Sequence, residues 1–422
     1  GRGGFASVDG PAWLCHFCCS APQDLPAPER AETASQDARK RTPPCMTRLR
    51  FLHCSDLHLG KRFGQFDEDT RAALQLARQA SLARLAEIAV AEQAGHVLIA
   101  GDLFDTETPS SRVIRQALAA MGGADGVAWW IIPGNHDSGA AEPLWAEMAR
   151  HKPDNVHLLM TAEPVEMAPG AVLLPAPCLH RFAGHDRTAW MDTAATADGQ
   201  LRIGLAHGAV LDFDRDQNGA DTIASNRAAS ARLDYLALGD WHGRFTLDAR
   251  SQYPGTPERD RFKHPGRGSC LLVELSQPGA PPEVKEIPVG QFDWQDLALE
   301  LSPTQDITAE LMRVLPQDRS TWGETLVRLR ARGWVRADQR ITLMQQVQDH
   351  APAFRHLDLD TSGLRVEHRA EDLDQIATTG ALRAAAEALL HDSQDVAQSQ
   401  DSRDVAAAAL NRLYAFVRKD AE

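Results

Sequence analysis

The chain has 422 residues, a formal net charge of −14 and a hydrophobic content of 43%. That length exceeds one ordinary domain, so we expect more than one compact unit. The excess of acid argues against a protein that coats DNA on its own, because DNA-coating surfaces are basic, and no apolar run reaches the roughly 18 residues of a membrane span. Cys54, Cys178 and Cys270 lie in apolar stretches, which predicts buried thiols in a cytoplasmic protein.

Residues 1–45 differ in composition from the rest of the chain. They are rich in Pro, Ala, Ser and charge and lack periodicity, which predicts a disordered leader. Met46 stands directly before the first predicted strand, so we expect the natural protein to begin there. The cluster Cys15–Cys19 lacks a second ligand pair at a spacing typical of zinc. A transit peptide is disfavoured because the leader contains acids.

From Met46 to about residue 290, strands alternate with helices. Helical spacing of apolar residues predicts one helix through Leu82, Leu85, Ile88 and Ala89 and a second through Ile114, Leu118 and Met121. Further strands are predicted at residues 172–174, 203–206 and 270–273. This alternation predicts an α/β sandwich over residues 46–290.

The character of the chain changes after about residue 290. Thr325–Arg332 alternates apolar and basic residues, which predicts a strand, and Phe354–Leu359 is a second candidate strand. Helical stretches surround them, so residues 291–422 are predicted to form a small α+β cap domain with a C-terminal helical region. In the last helix, one predicted apolar face comprises Val405, Ala409, Leu413 and Phe416. That face could pack on the cap domain or bind a partner.

Four short motifs each follow an apolar run of strand length: Asp56–Gly60, Gly101–Asp105, Gly134–Asp137 and Gly239–Gly243, with His207 alone between the last two. Each motif by itself is typical of a turn or a cap. Together they bring carboxylate, amide and imidazole ligands to the ends of strands, where open α/β sheets form their sites. Their joint occurrence predicts a two-metal phosphoesterase centre.

These motifs resemble those of the calcineurin-like metallophosphoesterase superfamily. Leu59–Gly60, Leu103–Asp105, Ser138 and the segment Tyr253–Arg259 resemble its DNA-repair exonuclease branch, the SbcD type. The resemblance covers residues 46–290. It implies a metallophosphoesterase-type α/β sandwich with a cap domain. It also implies a metal-dependent phosphodiesterase that acts as a DNA exonuclease or endonuclease subunit in DNA repair.

The resemblance also implies a ligand set for two divalent ions, with manganese expected and magnesium or iron left open. It assigns Asp56, His58 and His242 to the first ion, and Asn135, His207 and Asp240 to the second. Asp102 is expected to bridge both ions. The branch usually carries a histidine where this chain has Asp240. A carboxylate is a competent ligand there, and the alternative is that Asp240 caps a loop and the second site is weakened.

His136 matches the family's catalytic histidine, which contacts the phosphate and protonates the leaving oxygen. Asp137 is expected to hold its imidazole in one tautomer. Lys61, Arg62 and Arg259 are the expected substrate-binding cations. Further basic residues form two groups. The first lies in the catalytic half and comprises Arg261, Lys263, His264 and Arg267. The second lies on one face of a predicted strand and comprises Arg328, Arg330 and Arg332. Charge runs of this kind are ordinarily solvated faces.

Partners and alternatives follow from the same resemblance. DNA and an ABC-type coiled-coil ATPase are the expected partners, and a homo-oligomer is left open. One alternative is a small-molecule phosphodiesterase or phosphatase of the same fold, which the acidic net charge favours. Another, motivated by Asp240, is a weakened subunit that binds DNA ends.

Overall fold

The structure is a computed structural model that describes residues 48–210, 222–367, 373, 376–377 and 379–419. Those residues lie within one compact unit, Met46–Glu422. The predicted disordered leader, residues 1–45, and its Cys15–Cys19 cluster fall outside the described residues. Among the described helices, none is both long enough and apolar enough to cross a membrane.

The first sheet has six strands, which are β1 Leu49–Cys54, β2 His96–Ala100, β3 Ala128–Ile132, β4 Val156–Leu158, β11 Ser269–Leu275 and β12 Glu283–Pro288. Their order across the sheet is β12-β11-β1-β2-β3-β4. The crossover helices between its parallel strands are α1 Glu68–Ala91, α2 Ser111–Gly122 and α3 Glu142–His151. Strands β1 to β4 pair in parallel, whereas β11 runs antiparallel to β1 and to β12.

The second sheet also has six strands, which are β5 Val165–Ala168, β6 Ala171–Ala176, β7 Leu201–His207, β8 Tyr235–Gly239, β9 Phe245–Thr246 and β10 Ser251–Tyr253. Their order is β5-β6-β7-β8-β10-β9. A short helix, α4 Arg227–Ser230, precedes β8. The central strands β6, β7, β8 and β10 pair in parallel, so their carboxyl ends share one edge.

Strand β1 shows how the two sheets build the core. Phe51 lies in the cluster between the sheets with Leu205 and Tyr235. The next residue, Leu52, faces the other way and packs in the cluster that contains Leu82 of α1. A parallel sheet covered on both faces needs apolar residues on both faces, which explains the continuous apolar runs in the sequence. The predicted α/β sandwich is confirmed, and Cys54, Cys178 and Cys270 are buried free thiols as expected.

The register of the strands brings the motifs to one edge. Cys54 pairs with Ile99, and Ala100 pairs with Ile132, so β1, β2 and β3 end nearly level. In the second sheet His207 pairs with Gly239. Each motif begins within a few residues of these pairs, which places all of them at the carboxyl edge of the sandwich.

The cap domain is a three-stranded sheet with helices in its connections. Its elements are β13 Asp293–Leu301, α5 Ile307–Val314, β14 Thr325–Arg336, α6 Ala337–His350, β15 His356–Glu367, α7 Ala381–Gln394 and α8 Gln400–Lys419. Short 3-10 turns occur at Ala189–Asp192, Arg319–Glu324 and Ala351–Ala353. The predicted strands near Thr325 and residue 356 are present. Both pairings, β13 with β14 and β14 with β15, are parallel, which the sequence pattern did not indicate.

The cap packs on the catalytic sandwich near the first motif. Phe66 and Leu74, just before and within α1, form an apolar cluster with Trp294 and Leu326 of the cap sheet. The hydroxyl of Thr70 donates to the Arg355 carbonyl at 2.9 Å. The start of α1, which follows the first motif, is therefore held in part by contacts with the C-terminal three-stranded sheet region.

The buried face of α8 differs from the predicted one. Val405 is 70% exposed and Phe416 is 65% exposed, whereas Ala406 and Leu410 are buried among α6, α7 and the cap sheet. The predicted face was wrong for Val405 and Phe416, whereas its Leu413 packs against the buried cluster. The buried face is offset by about one residue from the predicted one, because α8 is rich in alanine and its apolar residues cover a wide arc.

Candidate metal centre

The motif residues adopt backbone conformations that side chains other than glycine rarely adopt. Asp56, His58, Asp102 and Asp240 have φ angles of 56°, 45°, 53° and 101°. Such residues cost free energy, and they persist where the surrounding structure holds them for function. The sharp turns after β1, β2 and β8 aim their side chains back across the ends of the two sheets.

Three motif glycines permit the close approach of these turns. A Cβ on Gly239 would lie 1.9 Å from the Ala100 carbonyl oxygen, and one on Gly134 would lie 2.1 Å from Asp102 Oδ1. A Cβ on Gly101 would lie 2.3 Å from His207 Nδ1. Glycine is therefore required because the strand ends of the two sheets touch here.

The first candidate metal site groups Asp56, His58 and His242, whose potential ligand atoms lie within 4.8 Å of one another. His58 Nε2 and His242 Nε2 are 3.2 Å apart. The Nδ1 atom of His58 lies 3.3 Å from Asp105 Oδ1, and that of His242 lies 3.2 Å from Asp260 Oδ1. If both Nδ1–H groups donate to these carboxylates, two lone pairs face each other. A shared cation resolves that repulsion, so the donor set fits a divalent metal ion.

The second candidate metal site is built around His207. Its Nδ1–H donates to the Ala100 carbonyl at 2.8 Å, which leaves the Nε2 lone pair 3.0 Å from Asn135 Oδ1 and 3.8 Å from Asp240 Oδ1. Burial disfavours the charged imidazole, yet the carboxylates of Asp102, Asp56 and Asp240 together raise the pKa of His207 to about 9. The surroundings thus favour positive charge at Nε2, and a divalent cation supplies it as well as a proton does.

Asp102 lies between the two sites. Its Oδ2 is 3.6 Å from His58 Nε2 and 3.5 Å from His207 Nε2, while its Oδ1 accepts the His136 N–H at 2.9 Å. Burial, and then the charge of Asp56, raise the pKa of the Asp102 carboxyl to about 6 despite the neighbouring His207. One oxygen at nearly equal distance from a histidine of each site has the position of a bridging ligand.

Asp240 presents its carboxylate to the second site. Its backbone N–H donates to the Asp56 carboxylate at 3.1 Å, which holds the turn. Among the hydrogen bonds of the described residues, none ends on the Asp240 carboxylate. A loop cap needs such a bond, so the geometry favours the ligand interpretation over the capping one.

His136 is exposed at the centre of the edge. Its Nδ1–H donates to the Asp105 carbonyl at 3.0 Å, and its ring stands edge-on to His58 at 4.7 Å between centroids. This fixes the tautomer and leaves Nε2 directed away from its own chain. The group that orients the catalytic candidate is thus a backbone carbonyl.

Asp137 has a different role from the predicted one. Its carboxylate accepts the Gly134 N–H at 2.7 Å and the Phe104 N–H at 3.0 Å, and the side chain is fully buried. Burial, and then the charge of Asp102, raise its pKa to about 7. The prediction that Asp137 holds the His136 ring was wrong, because the side chain turns inward and ties the second and third motifs together.

The three predicted substrate cations fall into different environments. Lys61 Nζ lies 3.2 Å from Asp105 and 3.4 Å from Asp260, so its charge is already paired. Arg259 is buried and donates to the His242 carbonyl at 2.5 Å, so the prediction that it contacts substrate was wrong. Arg62 is exposed beside the first motif, and its contact with substrate stays a prediction.

Two buried residues that the sequence patterns missed support the first site. Arg78 of α1 donates to the Leu57 carbonyl at 2.5 Å and to the Glu258 carbonyl at 2.6 Å. The Glu258 carboxylate accepts the Gln291 N–H at 2.8 Å, next to the start of the cap. The sequence did carry a signal for Arg78. Its position four residues after Leu74 places an arginine on the apolar face of α1, which indicates a buried charge with partners inside the protein. Glu258 lies within the segment Tyr253–Arg259 that resembles the nuclease branch, but that resemblance did not indicate its supporting role.

Comparison with known families is consistent with this geometry. Residues 49–266, just over half of the 422, match the model of the calcineurin-like phosphoesterase family. The chain belongs to the calcineurin-like phosphoesterase family. This match begins at β1 and ends beyond His242, so it contains all seven predicted metal ligands. The expected family and its α/β fold are confirmed.

Several relatives of this phosphoesterase are known. YhaO of Bacillus subtilis, an uncharacterized metallophosphoesterase, is 25% identical over 277 residues, which are 63% of this chain and 66% of that protein. The SbcD component of nuclease SbcCD from Bacillus subtilis is 27% identical over 270 residues, 55% of this chain and 67% of that protein. The DNA double-strand break repair protein Mre11 of Archaeoglobus fulgidus is 35% identical over 91 residues, 21% of this chain and 19% of that protein. The chain thus spans about two thirds of the length of the first two.

Proposed function

We propose that this protein is a two-metal phosphodiesterase that cleaves DNA. The observation that carries the proposal is the position of Asp102 Oδ2, 3.6 Å from a histidine of one site and 3.5 Å from a histidine of the other. Two divalent ions held at this centre would neutralise phosphate oxygens and lower the pKa of an attacking water. Mixed imidazole and carboxylate ligands suit manganese, and magnesium or iron remain alternatives.

The chain itself supplies the proton for the leaving group. His136 is exposed, and its Nδ1–H is held by the Asp105 carbonyl. Protonated at Nε2, the ring donates to the oxygen that leaves when the phosphodiester bond breaks. Neither ion needs this imidazole, because the seven proposed ligands are Asp56, His58, Asp102, Asn135, His207, Asp240 and His242.

Basic and aromatic side chains near His242 support a nucleic-acid substrate. Arg261 pairs with Asp260 at 2.9 Å, but half of its side chain is exposed next to His242, so part of it stays accessible to a substrate. Lys263 Nζ lies 4.8 Å from the centre of the Trp241 ring. Cations beside an aromatic face suit a strand with phosphates and bases. Relatives named as nuclease components and as a DNA repair protein favour the same substrate.

A second protein is proposed to supply part of the DNA affinity. The net charge of −14 predicts weak binding by this chain alone. The exposed apolar side chains of Val405 and Phe416 on α8 offer a contact to a coiled-coil ATPase of the ABC type. A homo-oligomer is left open, and the buried free thiols suit a cytoplasmic location.

Cleavage assays with manganese test the proposal. The full chain is freed of metal, reloaded with Mn²⁺, and offered duplex DNA, single-stranded DNA and a chromogenic phosphodiester, with H136A as the inactive control. DNA cleavage is expected, and it should weaken steeply with added salt because phosphate contacts release counterions. Hydrolysis of the small ester should change little with salt.

A small-molecule phosphodiesterase is the second candidate. It is favoured by the pairing of Lys61 with two carboxylates and by the burial of Arg259, which remove two expected cations from the substrate surface. Efficient turnover of the small ester, with no DNA cleavage at any salt concentration, would decide for this candidate.

A further inference from the structure

Each histidine of the first metal site has a carboxylate behind it. His242 Nδ1 forms a hydrogen bond with Asp260 Oδ1 at 3.2 Å. His58 Nδ1 lies 3.3 Å from Asp105 Oδ1, a close contact without the geometry of a hydrogen bond. The Asp260 side chain is 1% exposed and that of Asp105 is 20% exposed. Asp260 lies just past the segment that resembles the nuclease branch, and nothing in the sequence singled it out.

Lys61 joins these two carboxylates. Its ammonium lies 3.2 Å from Asp105 Oδ1 and 3.4 Å from Asp260 Oδ2. A cation at that place offsets the repulsion between two anions that approach the same site, and it fixes both of them relative to the first motif. Lys61, which was expected to contact phosphate, therefore pairs with two carboxylates of the protein instead.

Arg261 offers His242 Nδ1 a second contact, which competes with that of Asp260. Its guanidinium lies 3.1 Å from His242 Nδ1, but it also makes two contacts of 2.9 Å with the two oxygens of Asp260. A guanidinium only donates, so a bond from Arg261 to Nδ1 would put the ring proton on Nε2 and block metal binding there. When Arg261 donates to both oxygens of Asp260 instead, His242 Nδ1 keeps its proton and Nε2 stays free to bind a metal ion.

We propose that Asp105 and Asp260 are positioning residues for the first metal ion, held together by Lys61. Asp260 accepts the Nδ1–H of His242, and the Asp105 carboxylate attracts the proton of His58 Nδ1 from 3.3 Å. Each carboxylate thereby favours one tautomer of its ring, orients the ring and makes Nε2 a stronger donor. The second site lacks this device, since His207 Nδ1 faces the Ala100 carbonyl. This inference rests on the metal centre of the proposed function and is independent of its substrate.

Manganese binding to the full chain tests the inference without any substrate. The signal of free Mn²⁺ is followed by electron paramagnetic resonance during titration, and two dissociation constants are extracted. Asp240→Ala marks which constant belongs to the second site. Asp260→Ala and Asp105→Ala should each weaken the first site about 10- to 100-fold and leave the second unchanged. Asp260→Asn, which keeps an acceptor, should lose less than Asp260→Ala.

Matched variants separate positioning from other effects. Asp248→Ala removes an exposed carboxylate at the opposite edge of the second sheet and should change neither constant. Arg261→Met should leave the first site intact, because Asp260 still accepts the ring proton. Tighter binding in Arg261→Met together with unchanged binding in Asp260→Ala would overturn the assignment.

Two further results would also contradict the inference. One is an equal loss at both sites in Asp260→Ala, and the other is an equal loss in Asp260→Asn and Asp260→Ala. Should Asp260→Ala fail to fold, Asp105→Ala and Asp260→Asn keep the test in force. Absence of DNA cleavage in the parent would count against the proposed function and leave these binding constants fully informative.

Discussion

The two candidate metal sites are joined by Asp102 but place their negative charge differently. At the first site, Asp105 and Asp260 lie behind the histidines, 3.3 and 3.2 Å from the Nδ1 atoms. At the second site, His207 is held by a neutral carbonyl, and the additional carboxylate, Asp240, faces the metal position itself. Charge behind a ligand orients that ligand, whereas charge on a ligand lowers the Lewis acidity of the ion. Similar side chains therefore give two unlike sites.

Asp102→Asn should produce the largest effect, because it acts on both sites at once. Replacing the carboxylate proposed to bridge two cations with a neutral amide would remove charge that each ion needs. We expect a rate loss on the order of 10⁴-fold or more, as for other residues that act as a catalytic unit. Metal content, measured by elemental analysis, should fall at both sites. A variant that keeps both ions would remove Asp102 from the bridging position.

His136→Ala should cost about 10²- to 10⁴-fold in kcat, the usual range for a general acid. Both ions should remain bound, because His136 is assigned to phosphate and to neither site. The measurement pairs kcat for a phosphodiester with the manganese content of the same preparation. Loss of one ion would show that His136 is a ligand and that the division into two sites is incorrect.

Asp240→Ala should separate the sites. The second ion should bind about 10- to 100-fold more weakly, and the first should be unaffected. Asp240→His should retain both ions and hydrolyse at least as fast as the parent, since one negative charge leaves the second site. Titration with Mn²⁺ gives the affinities. Two full sites in the alanine variant would identify Asp240 as a loop residue only.

His53 should make the stability of the fold that carries both sites sensitive to acid. It bonds Tyr235 at 2.9 Å and the Leu238 carbonyl at 3.2 Å, and so ties β1 to β8. Burial lowers its pKa from 6.5 to about 3. The unfolded chain therefore binds the proton more readily below pH 6.5, and stability should fall by up to about 1.4 kcal/mol per pH unit from there towards pH 3. Above pH 6.5 the imidazole is neutral in both the folded and the unfolded chain, so this loss of stability does not occur.

The slope is the change in the free energy of unfolding with pH. It is measured by denaturant unfolding of the metal-free chain at about pH 4.5, about pH 5.5, about pH 6.5 and about pH 7.5. His53→Gln should flatten it, whereas His391→Gln, at a residue whose side chain is 79% exposed, should not. An unchanged slope in His53→Gln would assign the acid sensitivity to other groups.

Much of the site could be predicted from local pattern. Strand-length apolar runs followed by Asp56, Asp102 or Asp240 sufficed to place ligands at strand ends, because parallel strands present those ends at one edge. The face of α8 could not be predicted, since a helix rich in alanine has no sharp apolar stripe. The parallel order of the cap strands was equally hidden, because periodicity reports which residues are buried and says nothing of strand direction.

The sequence by itself determined the α/β class, the family and the candidate metal ligands, because these depend on residue types within a few positions of a strand end. Only the tertiary structure decided the partners of the charged side chains. Lys61 pairs with Asp105 and Asp260, Arg259 bonds a carbonyl, and Asp137 turns inward. Those pairings join residues up to about 200 positions apart. Ion pairs and hydrogen bonds depend on distance in space, and sequence spacing carries no record of it.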